Sequence, residues 1–280
     1  MLRDFDSAVE QFREAYLQLD SYLAKTACVR FSVRIRAGEL ASDILSFCPV
    51  FVEVHTQAMR DSTEQTRQLA AEWPMQKVEK LIGMTKQMPY YLRNEIPPEE
   101  FKKFLDEMPK LSWSFEKFQQ HFKMTDDSFA KLRANYKGLF YIIRAYQDAL
   151  YNVLLEITGE RAGAFTSMYD AFCSDKRDFE AKNPVAEILK AFYPEYLEWF
   201  LDWREKRNLI TSGVGCAFEG PSDDLGIAFR AFDTSAGSSA DYAGAVRISD
   251  VIGALKASAG LASLALEQAI RRNAERLAAH

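Results

Sequence analysis

The chain has 280 residues, 48% of them hydrophobic and 27% charged, which is material for one large or two modest globular domains. Its net charge is −5, and the acidic excess lies wholly in one half: residues 1–138 hold 20 Lys+Arg against 20 Asp+Glu, residues 139–280 hold 15 against 20. That balance excludes the bulk basic surface of a protein that wraps duplex nucleic acid. No run of about 18 apolar residues suggests a membrane span, and the start Met1-Leu2-Arg3-Asp4-Phe5-Asp6 lacks the apolar stretch of a secretory signal. A soluble, cytoplasmic protein with no membrane partner is the expectation.

Spacing predicts a first helix over about residues 4–24. Phe5, Val9, Phe12, Tyr16, Leu19 and Leu23 alternate by four and three and make one apolar stripe. A second helix is predicted from near Gly38 past residue 65, burying Leu40, Ile44, Phe47, Phe51 and Val54. The basic run Arg30-Phe31-Ser32-Val33-Arg34-Ile35-Arg36 lies between them. In a helix Arg30 and Arg34 share a face; in a strand Arg30, Ser32, Arg34 and Arg36 do. Two uses stand open: an anion site, or a basic edge paired with carboxylates such as Glu39 and Asp43.

Residues 74–123 read as short helices bounded by Pro74, Pro89, Pro97, Pro98 and Pro109, because proline lacks a backbone donor and restricts its predecessor. Lys102, Lys103, Lys110, Lys117 and Lys123 interleave with Phe101, Phe104, Trp113, Phe115, Phe118 and Phe122. Such a mixture can stack bases beside phosphates. The helical spacing and intervening acids favour an amphipathic layer instead.

A long helix is predicted over about 126–158, with Thr125 as N-cap, Asp126 and Asp127 at its positive end and Gly159 as its stop. Its ladder is Phe129, Leu132, Tyr136, Phe140, Ile143, Leu150, Leu154 and Ile157. Ala162–Phe172 reads as a short helix. Asn183-Pro184 opens another that Pro194 breaks, and Glu195 to about Leu209 continues it with Trp199, Phe200 and Trp203. Six of the thirteen glycines then fall within 213–244. Val214–Glu219 and Gly226–Phe232 are expected to pair as a hairpin, and Ser235–Gly244 to form a loop. A final helix runs from Ser249, followed by Asp250, to the end, with Ile252, Leu255, Leu266 and Ile270 apolar. The fold class expected is mainly α, a multi-helix bundle with a small β-hairpin near 214–232.

Few chemical motifs are present. Cys28, Cys48, Cys173 and Cys216 form no C-x-x-C pair, so neither a zinc site nor a disulfide framework is expected. There is no phosphate-binding Gly-Lys-Ser/Thr loop, no H-E-x-x-H metal pair and no serine elbow. Ser235-Ala236-Gly237-Ser238-Ser239 is similar to a loop of helical haem dioxygenases, but no internal axial histidine accompanies it. No metal and no cofactor are expected.

The most informative segment is Trp203-Arg204-Glu205-Lys206-Arg207-Asn208-Leu209-Ile210-Thr211-Ser212-Gly213. It resembles the end of the third core helix of HEPN domains, whose motif is Arg-Asn, three residues, then His, often followed by Gly. Arg207, Asn208 and Gly213 match; Ser212 stands in place of the histidine. The preceding Tyr196-Leu197-x-x-Phe200-x-x-x-Arg204 helix, the β segment and the closing helix resemble the family too, as does Arg144-Ala145-Tyr146-Gln147-Asp148-Ala149-Leu150-Tyr151. The resemblance covers about residues 126–280 and divides the chain into a helical region 1–125 and a HEPN-like domain 126–280.

That resemblance implies a homodimer, assembled here through the C-terminal helices, with RNA or a nucleotide at the pocket. The family's ribonucleases use Arg to hold the scissile phosphate and His to move a proton. Serine has no pKa near neutrality and cannot take the acid–base step. Arg207 therefore stands as an anion-binding residue, with Asn208 ordering the turn, Ser212 contacting ligand and Arg204 beside them. Asp148 takes the acidic position of some family members, and Arg144 lies one turn earlier on its face. Structural roles compete throughout: helix bridging for Arg207 and Asp148, helix capping for Asn208. His55, His121 and His280 match no motif position. A non-catalytic binding or assembly module is the leading expectation, and a metal-independent RNase toxin or defence effector the alternative.

Overall fold

A computed structural model describes residues 2–72, 98–159, 184–192, 203–208, 214–219, 226–230 and 242–278. The protein is mainly helical. Helices α1 (Leu2–Thr26), α2 (Phe31–Glu72), α3 (Pro98–Thr158) and α4 (Pro184–Phe192) precede strands β1 (Val214–Glu219), β2 (Gly226–Arg230) and β3 (Tyr242–Arg247), and α5 (Ile248–Ala278) follows. Residues 203–208 are also helical. Packing divides the chain into two compact units, one of Met1–Val52 with Arg133–His280 and one of Glu53–Leu132.

In the first unit α1, the start of α2, the end of α3 and α5 pack side by side. The predicted α1 stripe is its inner face: Phe5, Phe12, Leu19 and Leu23 are buried, and Ala8 with them. Aromatic contacts tie the helices together. Phe5 stacks on Phe51 of α2 with centroids 5.6 Å apart, Phe51 meets Tyr136 of α3 edge-on at 4.9 Å, and Phe12 meets Tyr146 edge-on at 5.1 Å. Gly138 lets α2 and α3 approach closely, since a β-carbon there would lie 2.9 Å from the Phe47 ring. α5 packs along α1, and its small residues Ala254, Ala262, Ala265 and Ala269 are fully buried. α5 is the one described helix long and apolar enough to cross a membrane, and 61% of its most apolar window is buried against the rest of the protein.

The α1–α2 turn decides the fate of the basic run. Ala27 adopts a positive φ of 48° and its N–H bonds to the Leu23 carbonyl, closing α1 in a left-handed cap. α2 begins at Phe31, seven residues earlier than Gly38, so the run is helical. All three arginines meet carboxylates: Arg30 pairs with Glu156, Arg34 with Asp20 at 2.7 Å, and Arg36 with Glu39 at 3.6 Å. The Arg30 N–H also donates to Glu156 at 2.7 Å, which satisfies a donor at the start of α2. This is the carboxylate-paired edge, with Asp20 and Glu156 as partners that distance along the chain had hidden.

α3 differs from its expected outline. It begins at Pro98 and runs unbroken through Pro109, where short helices were expected. Pro98 fits because the first turn needs no N–H there. The 73–97 region and the lysine–aromatic side chains of 101–123, His121 included, lie outside the described residues, as does the segment 162–172, where a short helix was expected. Gly159 ends α3 as expected, with φ 79° and its N–H on the Glu156 carbonyl. In the second unit, Asp61 accepts hydrogen bonds from Gln57 and Ser128, and His55 and Ala58 are buried.

The hairpin is present. β1 and β2 pair antiparallel from Val214↔Arg230 to Glu219↔Gly226, with a bulge at Cys216. A third strand was not anticipated: β3 pairs antiparallel with β2, so the order is β1-β2-β3. Residues 242–244, expected in a loop, belong to β3. Alanine and glycine give that stretch little intrinsic strand preference, so the pairing with β2 decides it.

Two predictions follow from the helix ends and the core. Ala27→Gly should raise stability by about 0.5–1 kcal/mol and Gly159→Ala lower it by about 1 kcal/mol, measured by urea unfolding, because only glycine accepts a positive φ without strain. Cys48 is buried, and desolvation pushes its thiol from 9.0 up to about 12. Between those pH values the unfolded thiol ionises and the folded one does not, so stability falls as pH rises, by at most about 1.4 kcal/mol per unit. Cys48→Ala should flatten that alkaline slope in urea midpoints taken from pH 8 to 10.5.

Candidate functional site

The helical residues 203–208 are fixed at two points. Trp203 is buried and stacks face to face on Phe140 of α3, with centroids 3.7 Å apart and 12° between the rings. Burying two aromatic rings against each other is worth more than their area alone. One turn later Lys206 pairs with Asp250 at 2.7 Å. Asp250 also accepts the Arg247 N–H at 2.8 Å. This is the reciprocal half of a capping box, so Arg247 rather than Ser249 holds the N-cap position of α5. Asp250 thereby joins the end of β3, the start of α5 and the 203–208 helix.

Arg207 is half-buried and Asn208 exposed. The Arg207 guanidinium Nη2 donates to Asn208 Oδ1 at 2.9 Å. Arg204 is half-buried on the same short helix. Ser212 and Gly213 lie outside the described residues. On α3 the Arg144–Asp148 pair forms as the i,i+4 spacing suggests, at 2.9 Å, with the Arg144 side chain only 8% exposed and Asp148 28%. Arg144 sits one turn beyond Phe140, the residue that stacks on Trp203. The structure thus brings Arg144 to Asp148 and Arg207 to Asn208.

Three polar contacts near these residues escaped the sequence reading. Asp250 was legible as an acid at a helix start, but its partner Lys206 lies 44 residues away. Gln147 is fully buried and donates to Ser258 of α5 at 3.3 Å, linking α3 to α5. Asn152 donates to the Asp148 carbonyl at 2.9 Å. No local pattern marks a buried amide such as Gln147, whose partner lies 111 residues away.

His55, the histidine whose side chain is described, is buried in α2. Among the described residues no three His, Cys, Asp or Glu side chains gather closely enough to hold a metal ion. A cavity does occur in the first unit, between the C-terminal end of α3, α4 and α5; among the described candidate residues, Arg144, Asp148, Arg204, Arg207 and Asn208, none lines it. Comparison of the chain with protein-family models, with curated proteins and with solved structures found no match.

The site's frame is open to a direct test. Asp250→Ala removes the acceptor for the Arg247 N–H and the carboxylate facing Lys206, and should cost about 1–2 kcal/mol in urea unfolding. Asp250→Asn keeps an acceptor oxygen and should recover part of that loss. Equal losses for the two variants would show that the charge alone matters.

Proposed function

We propose that this protein is a HEPN-like helical module that binds or assembles without cleaving, with an anion, nucleotide or RNA-facing pocket at Arg207-Asn208. One observation carries the reading: the Arg-Asn pair sits on a short helix anchored by Trp203 and Lys206, while serine occupies the motif position that the family gives to histidine. The anchoring matters because an arginine recognises phosphate by a planar fork of donors, and the fork is useful only when its helix is held still. Asn208 accepts one of those donors and orients the guanidinium. A proton carrier is the missing element, and hydroxyls do not supply one near neutral pH.

In the same reading two copies associate through α5. Ile270 and Leu277 are exposed and lie seven residues apart on one face of that helix, as a helix–helix contact requires. A cytoplasmic setting accompanies the proposal.

Purified protein incubated with total RNA in EDTA should leave the RNA intact. A fluorescent single-stranded RNA should bind, and Arg207→Ala should weaken it by about tenfold, the loss of one charge-assisted contact. Cleavage in EDTA that Arg207→Ala abolishes would overturn the non-catalytic reading in favour of a metal-independent ribonuclease.

A further inference from the structure

The cavity beside α5 is separate from the Arg207 region and has its own chemistry. Its volume is about 470 Å³, within the range of small-molecule sites. Ile157 of α3, Ile188 and Ala191 of α4 and Leu264 of α5 supply its apolar surface. Ile157 and Leu264 are buried at its base, while Ala191 is exposed at its edge. Along α5 the lining then turns polar, through Glu267 and Gln268 to Arg271, Arg272 and Glu275. One end of the cavity is therefore greasy and the other charged.

The charged end already holds a carboxylate. Glu275 meets Arg271 at 3.4 Å and Arg272 at 3.7 Å. Both distances are long, and the three side chains are between 53% and 73% exposed, so these pairs are loose and worth little. Two guanidiniums carry ten N–H donors between them, far more than one carboxylate fills. Glu275 thus marks where the forks converge and exchanges readily for another anion. We propose that this cavity binds a medium-chain monocarboxylate, its acyl chain against Ile157, Ile188 and Leu264 and its carboxylate on Arg271 and Arg272 in place of Glu275.

The proposal fixes the sign of each charge change. Glu275→Ala removes the internal competitor and Glu267→Gln removes a nearby like charge, so both should tighten binding. Arg271→Ala should weaken it. Ala191→Trp places a ring at the cavity edge without touching the core, and should block it.

The test titrates octanoate into full-length protein labelled at isoleucine and leucine methyl groups, observed by NMR. The expected result is saturable shifts at Ile157, Ile188 and Leu264, with affinity lowered roughly three- to tenfold by Arg271→Ala, raised by Glu275→Ala and lost in Ala191→Trp. Thermal melts of each variant establish that it is folded. Absence of methyl shifts at millimolar octanoate, unchanged affinity in folded Ala191→Trp, or tighter binding of octylammonium than of octanoate would each overturn the proposal.

Discussion

The burial of α3 is the constraint on which the rest depends. Between Ile143 and Ile157 none of its residues is exposed. A helix in that position has little access to water, so its polar side chains are drawn to partners within the protein, although the buried Tyr146 hydroxyl makes no hydrogen bond among the described residues. Arg144 takes Asp148 one turn on, Gln147 takes Ser258 from α5, Asn152 takes a carbonyl of its own helix, and Glu156 takes Arg30 from the start of α2. These contacts orient α3 against α2 and α5. Apolar area alone does not choose among rotations of a helix; a buried amide or ion pair does, because the wrong rotation strands it.

That constraint also shapes the candidate site. Phe140 belongs to the same buried helix, and Trp203 reaches the core by stacking on it. The short helix carrying Arg207 is then tied at its other end to Asp250, which also caps α5. Anchoring of this kind is what a binding residue needs, since a side chain on a loose segment loses its entropy again at each encounter. The buried Arg144–Asp148 pair lies within the same frame. Its burial makes it a support for neighbouring residues more than a surface for ligand.

The cavity at the far end of α5 obeys a different logic. There α5 outruns α3, and the helix passes from small buried alanines to exposed charged residues. Side chains no longer have to partner one another, and the pairs they make are loose. The firmly and loosely paired ends of one helix mark its structural and its accessible parts.

Much of this was legible in the sequence because it is governed by local rules. The 3.6-residue period located α1 and the buried ladder of α3; Pro184 and Gly159 marked helix limits; the 214–230 hairpin showed as two short runs between glycine-rich stretches. The Arg144–Asp148 pair followed from i,i+4 spacing. Tertiary structure decided the rest. Proline rules argued for short helices before residue 126, yet α3 runs unbroken through Pro109. The third strand depends on pairing with β2, 12 to 21 residues back, and the partners of Arg30, Gln147 and Lys206 lie from 44 to 126 positions away. Periodicity says which face of a helix is buried; only packing says against what, and hence which polar groups must find each other there.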